Sequence, residues 1–368
     1  MQTQTYDYVI VGAGSAGSVL ANRLSASGKH RVLLLEAGRP SHPWSRIPIG
    51  YGRLIDNPAA NWCYAAEPEE GSAQRKIPVP RGKLLGGSSA INGMVFVRGQ
   101  AQDYDHWAQL GNRGWSYQDV LPFFKRMESY SGGDDRLRGR DGLLKVTDTG
   151  EKGPLYDAMI AAAEGVGIKF NPDYNGVAQE GVAMTQTTIS NGRRMSTAHC
   201  YLEPARKRAN LEIRTGAHTE ALVIDGKRCA GVRYSVGGVA QEARAAREVI
   251  VSAGSINSPQ LLELSGIGRP EVLQNSGIAV RHALPGVGEN LRDHYSPRMK
   301  YAVTQRGITY NDRARGLGLA GQAMRYAFAR SGFFAMAATP IRVYFRTREG
   351  LESPDATFSC LPFLIGPN

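Results

Sequence analysis

Cysteine is scarce in this chain, with four in 368 residues at Cys63, Cys200, Cys229 and Cys360. None stands in a CxxC pair or a histidine-rich spacing, which argues against a metal site and leaves the four as thiols. No apolar stretch reaches the ~18 residues of a membrane-spanning helix. The first apolar strand already starts by Tyr6, leaving no room for a signal peptide, so residence in the cytoplasm is the expectation. There is no internal repeat, no low-complexity tract and no long basic run. The net charge of +11, from 44 Lys and Arg against 33 Asp and Glu, is spread over short groups such as Arg193-Arg194 and Arg206-Lys207-Arg208. Without interleaved aromatics these read as a solvated basic surface rather than a nucleic-acid face. The length suggests two or three domains, able to bury roughly 75% of the unfolded surface.

What is present is glycine at particular places. Tyr8 to Val11 is a short β-branched run followed by Gly12-x-Gly14-x-x-Gly17, after which Val19, Leu20 and Leu24 recur at helical spacing until Gly28. In such a strand, turn and helix, the first glycine permits the sharp turn, Gly14 lets backbone approach a pyrophosphate, and Gly17 lets the helix pack closely on the sheet. The helix start, including Ser15 and Ala16, then offers free amides and a positive dipole end to the phosphates. A second strand, Arg31 to Leu35, ends in Glu36 and Ala37, with the acid twenty-four residues after Gly12. A carboxylate there accepts hydrogen bonds from an adenosine ribose and disfavours a 2′-phosphate. The motif does not separate FAD from NAD.

A second segment, GKLLGGSSAINGMVFVRG from Gly82 to Gly99, packs Gly86, Gly87, Ser88, Ser89 and Asn92 into an apolar run before a predicted strand, Met94 to Val97. Glycines without Cβ beside short hydroxyls and an amide suit close contact with a flat polar ligand. A third, Glu248 to Ser252, is a strand ending in Ala253-Gly254-Ser255, with a helix predicted from Ser258-Pro259 to Gly266. Several small-residue turns in one chain suggest a large, extended ligand. Residues 40 to 80, rich in Pro and Gly, read as an excursion over that ligand, with Trp62 either packing against it or, as the favoured reading, filling a local core. Asp134 to Gly153 reads as a surface linker. Leu211 to Val251 should form a small antiparallel meander with a hairpin at Asp225-Gly226.

Three passages, VIVGAGSAGSVLANRLS with Glu36, RGKLLGGSSAINGMVFVRG and GSINSPQLLELSGIG, resemble the glucose-methanol-choline (GMC) oxidoreductases, a family of FAD-dependent alcohol oxidases and dehydrogenases. PGVGENLRDH and RMSTAHCYLEPARKRANL are similar to lesser landmarks, and the likeness spans residues 6 to 294. Within the family, DYDHWAQLGNRGWSYQDVLPFFKRME is most similar to choline dehydrogenase-like alcohol dehydrogenases. The resemblance implies an α/β fold: a Rossmann-like FAD-binding domain over 1–153 and 195–294, and an incomplete antiparallel-sheet substrate domain over 154–194 and 295–368. It implies FAD contacts from Gly12, Gly14, Ser15, Ala16, Gly17, Glu36 and Ala37, from Gly86 to Ser89, from Asn92, Gly93, Met94 and Val95, and from Gly254. Many members place a valine beside the adenine where this chain offers Thr219. Some attach flavin through a histidine that here is Ile91, so the FAD is expected to be non-covalent.

Oxidising an alcohol with flavin requires a base within reach of the hydroxyl while the α-hydrogen leaves as hydride. Family members carry a histidine, with a second histidine or an asparagine, in a C-terminal closing segment, and nothing in this sequence matches it. The chain therefore reads as an incomplete member whose end, TFSCLPFLIGPN, leaves apolar Phe363, Leu364 and Ile365 and part of the flavin site uncovered. The histidines are His30, His42, His106, His199, His218, His282 and His294. His294, beside Asp293, is the one weighed for direct chemistry, and no catalytic residue is assigned. The implied partners are a small-molecule alcohol and an electron acceptor, whether oxygen, quinone or a carrier, with peripheral contact at the inner membrane compatible with the latter two. A cyanohydrin lyase on the same fold, a flavin-binding fragment without activity, and an NAD-dependent dehydrogenase are the alternatives.

Overall fold

The computed structural model describes residues 3 to 364 and divides the chain into two units. The first comprises Met1–Ser45, Gly52–Asn92 and Ser196–Pro297, and the second Arg46–Tyr51, Gly93–Met195 and Arg298–Asn368. Residues 93 to 153, grouped by sequence with the nucleotide domain, thus fall in the second unit.

The first unit is built on β1 (Thr3–Val11), α1 (Ser15–Ser25), β2 (Val32–Glu36), β3 (Leu211–Thr215), β4 (Ala217–Asp225), β5 (Arg228–Val236), β6 (Val239–Val251) and α2 (Gly254–Leu264). One six-stranded sheet runs in the order β3-β2-β1-β6-β5-β4. β3, β2, β1 and β6 are mutually parallel, and β5 and β4 join antiparallel at one edge. This is the expected α/β class with a parallel core. Alternation along the buried strands divides the apolar residues between two faces, as the two-residue period of a strand requires. Val9, Val11, Leu33 and Leu35 cluster with Val232, Tyr234 and Leu261 of α2, whereas Ile10, Val32 and Leu34 cluster with Ala21 of α1 and with Leu202 and Ala205. Fully burying each of these Val, Leu and Ile side chains contributes about 1.5–3 kcal/mol.

Register fixes the working end of the sheet. Val11 lies opposite Leu35 on one side and Val251 on the other, so three strands end level and their following turns emerge side by side. α1 is held there by small residues rather than by its larger apolar ones. Gly17, Ser18, Ala21, Asn22 and Ser25 form its buried face. A Cβ on Gly17 would collide with the Gly12 carbonyl oxygen. Ser18 Oγ donates to the Ala13 carbonyl at 3.0 Å, and Asn22 Nδ2 donates to that of Tyr201 at 2.7 Å.

Several sequence expectations need correction. The meander is the three strands β4 to β6, with a hairpin at Gly226 (φ +61°) as read, but Leu211–Thr215 lies apart from it, parallel to β2. α2 begins at Gly254, four residues before the expected Ser258, and Pro259 lies inside the helix. Met94 to Val97 forms no strand, because Met94 has φ +61° and only Val95 makes an isolated bridge, to Thr187.

In the second unit, Gly181–Met184, Ile341–Phe345 and Ala356–Cys360 form a three-stranded antiparallel sheet whose core includes Tyr156, Val182 and Ile341. Asp134 to Gly153 is not a surface linker. It carries Arg138, whose side chain is fully buried and ion-pairs with Glu128 at 2.8 Å and with Asp173. Glu128 also pairs with Arg98 at 2.6 Å. Phe363, expected to lie uncovered, packs with Tyr310 and Met336, while Leu364 is 48% exposed and Ile365 lies outside the described residues.

Removing one member of a buried ion network strands its partners, at a cost of about 3–5 kcal/mol. Arg138→Met should therefore lower the urea midpoint markedly, whereas Arg136→Met, which breaks only an exposed pair with Asp134, should leave it unchanged.

Candidate functional site

The turns after β1, β2 and β6 enclose a cleft of about 440 Å³ within the first unit, inside the usual range for ligand pockets of ~300–1,000 Å³. Its position, outside the carboxyl ends of parallel strands, is where open α/β sheets bind ligands.

Gly12 makes the first turn with φ +93°, and a Cβ there would lie 2.6 Å from the Ser252 carbonyl oxygen, so only glycine fits between the two strand ends. Ser252 Oγ, within reach of the carbonyl oxygens of Val11 and Gly12 at 2.9 and 3.0 Å, ties β6 to this turn. α1 then starts at Ser15 with Gly14 as its N-cap; no side chain caps it and no acid stands in its first turn. α2 starts in the same way after Ala253. Each helix thus leaves its first backbone N–H groups without intrahelical partners at the cleft, where its dipole favours an anion. No protein atom lies within 4 Å of where a Gly14 Cβ would stand, so this glycine opens onto the cleft itself.

Glu36 is buried at 6% exposure. Its Oε2 accepts the Ala13 N–H at 3.0 Å and its Oε1 the Gly38 N–H at 2.8 Å. Burial pushes its carboxyl up to about 7, against the opposing pull of these two hydrogen bonds and of Lys83. The second signature abuts the first: the Gly86 N–H donates to the Ala13 carbonyl at 2.8 Å, and a Cβ on Gly87 would stand 2.7 Å from Gly14 Cα.

The cleft brings together Gly12, Gly14, Ser15, Ala16, Glu36, Ala37, Gly87, Ser88, Thr219 and Gly254 of the sequence-predicted residues. The others stand elsewhere. Gly17 is consumed by helix packing. Ser89 Oγ reaches the Gly86 carbonyl at 2.6 Å and accepts the Thr197 N–H at 3.0 Å. Gly86 and Asn92 do not line the cleft, and Gly93, Met94 and Val95 belong to the second unit. Three further wall residues, Arg81, His218 and Asn257, were not singled out, since nothing in their local spacing marks them. Trp62, expected in a local core, lines the cleft instead, half-buried and stacked on Tyr64 at 5.8 Å. Lys83 Nζ stands 4.4 Å from its ring centroid and the His218 ring 5.9 Å away. Among the histidines, His294 is exposed in a segment without regular structure.

The family model described as GMC oxidoreductase matches residues 6–296. The chain belongs to the GMC oxidoreductase family. It is 45% identical over 364 residues to the oxygen-dependent choline dehydrogenase of Photobacterium profundum, a match covering 97% of this chain and 63% of that protein. Among solved structures of GMC-like architecture, formate oxidase from Aspergillus oryzae, studied for its FAD modification, superposes with a TM-score of 0.84 at 26% identity, over 94% of this chain and 62% of that one. Pyridoxine 4-oxidase from Mesorbium loti gives 0.73 at 34% identity, over 76% and 55%. The chain thus spans just under two thirds of the length of the curated relative it matches. No helix among the described residues is long and apolar enough to cross a membrane.

Glu36 supplies a pH test. Its folded-state value near 7 lies above its ordinary 4.5, so between these values the folded state binds more protons than the unfolded one and stability falls as pH rises. Glu36→Gln removes that term. The stability of the variant relative to the ligand-free parent should climb from about pH 4.5 to 7 and then level off, as read from urea midpoints across pH 4 to 9; a difference independent of pH would contradict the assignment.

Proposed function

We propose that the cleft holds FAD non-covalently and that the chain is the cofactor-binding portion of an enzyme that oxidises an alcohol to an aldehyde or ketone. The observation that carries this is the convergence of two uncapped helix starts and a buried carboxylate on one cleft at the level ends of parallel strands. The donor set fits the group. The open space over Gly14 and the free amides of α1 suit the pyrophosphate. Glu36 can accept the ribose hydroxyls, and as a carboxylate it rejects a 2′-phosphate. Ile91, at the position of possible covalent attachment, is buried with Leu54, Leu84 and Ala90.

Bound FAD would supply the hydride acceptor for the alcohol α-carbon. The chain's own residues hold it: α1 and α2 neutralise the phosphates, and Ser88 with the Gly87 backbone forms the wall contributed by the second signature. We assign no base among these residues, consistent with a proton acceptor that acts on the alcohol from outside this cleft. Choline is the first alcohol to test, because the relative of 45% identity carries that substrate in its name.

Purified chain should be yellow, and in the enzyme of which it is the cofactor-binding portion anaerobic addition of an alcohol should bleach the flavin. A yellow protein that no alcohol bleaches would leave only flavin binding, cyanide release from a cyanohydrin without bleaching would indicate a lyase, and a colourless protein that takes up NAD would overturn the cofactor. Gly14→Ala adds a Cβ that meets no protein atom within 4 Å, so it should keep the fold and the melting temperature while weakening FAD binding at least tenfold in a flavin-fluorescence titration.

A further inference from the structure

Surface helices ordinarily turn their apolar side chains inward, and one helix of the second unit does the reverse. α3 (Gly316–Ala329) carries a single charge, Arg325, in its fourteen residues. At 3.6 residues per turn, Leu317, Met324 and Phe328 fall within about 20° of one direction, and Tyr326 points the opposite way. The structure turns the tyrosine in and the three apolar residues out. Tyr326 is buried, donates its hydroxyl to the Gly192 carbonyl at 3.0 Å and meets the Phe334 ring at 5.9 Å. Gln322, on the same side, accepts the Phe333 N–H at 3.1 Å. Leu317, Met324 and Phe328 are 92%, 58% and 82% exposed. The helix is thus fastened by its polar side, and turning it to bury the outer stripe would free Tyr326.

The frame of that stripe is basic. Between positions 306 and 332, Arg306, Arg313, Arg315, Arg325 and Arg330 stand against one acid, Asp312. All five arginines are exposed. Arg315 is the N-cap of α3 and Arg330 its C-cap, so positive charge brackets both ends of the helix. The guanidinium groups of Arg313 and Arg330 rest over the rings of Tyr310 and Tyr326, at 5.1 and 5.0 Å from their centroids. Asp312 is engaged locally, accepting the Gly307 N–H at 3.1 Å.

Charge decides what fits this face. A second copy of the chain docked here about a two-fold axis would set arginines against arginines. A bilayer surface rich in anionic lipid answers both features, because acyl chains take the apolar stripe while headgroup phosphates take the guanidinium groups. We infer that α3 is an interfacial anchor for an anionic lipid bilayer, with Leu317, Met324 and Phe328 inserted at the acyl boundary and the flanking arginines on phosphates. The inference is independent of what the cleft of the first unit holds.

Co-sedimentation of the purified chain with vesicles tests this without reference to flavin. Vesicles of phosphatidylcholine with about one third phosphatidylglycerol should bind the chain, and vesicles of phosphatidylcholine alone should bind it about tenfold more weakly or less. The triple variant Leu317→Ser, Met324→Ser, Phe328→Ser should lower partitioning onto the anionic vesicles about tenfold or more and keep the melting temperature, since these side chains already face solvent. Failure of the chain to bind, equal binding to both vesicles, or undiminished binding by the triple variant overturns the inference. So does a chain that dimerises without lipid in analytical ultracentrifugation and becomes monomeric in the triple variant, which would assign the face to a second copy. Binding by this chain that is lost in the longer enzyme would mean that the rest of that enzyme covers α3, and overturns it as well.

Discussion

The close passage of bare backbone over bare backbone at the ends of β1, β2 and β6 governs everything that follows. Gly17 lets α1 rest on the carbonyl of Gly12, Gly12 passes beside Ser252, and Gly87 lies against Gly14. Any side chain at the first two places would push α1 or β6 outward, and the helix start would no longer reach the cleft. Small residues therefore do here what large apolar residues do in an ordinary core, and they leave amides rather than methyl groups facing the ligand.

The same region breaks several local rules of stability at once. Two helices begin without a capping side chain, where a Ser, Thr, Asp or Asn would contribute about 1 kcal/mol. Glu36 is buried with its carboxyl pushed up to about 7, and Thr219 keeps a hydroxyl without a partner. The proposed cofactor would relieve the first two, as an anion between the helix starts and as hydroxyl donors at the carboxylate. Uncapped helix starts and a buried acid gathered at the ends of parallel strands fit a binding site. In the second unit, buried Arg138 and Glu128 pair with one another and with Arg98 and Asp173, while the hydroxyls of Thr185 and Thr339 are buried without a partner.

What the sequence made legible follows from the range of the interactions involved. Tyr8 to Glu36 could be read because strand, turn, helix and acid are set by neighbours, and the Asp225-Gly226 hairpin because two residues decide it. The parallel placement of Leu211–Thr215 beside β2 could not, since the pairing joins residues about 180 positions apart. Asp134 to Gly153 looked like a charged linker because the partners that bury Arg138 lie at positions 128 and 173. The early start of α2 escaped notice because Gly254, Ser255 and Asn257 have poor helix propensity and are held by tertiary contact, including the Tyr64 hydroxyl on Asn257. At the site, the glycines and Glu36 announced themselves by spacing and Trp62 by its place in the excursion, whereas His218 and Arg81 reach the cleft by routes that no local pattern records.

Backbone hydrogen exchange, followed with and without FAD, examines the central claim most directly, because the ligand is held to the amides of two helix starts. The account expects FAD to slow exchange at Ser15 to Gly17 and at Gly254 to Asn257 together. Bound FAD that protects neither segment, or protects only residues of the second unit, would contradict it.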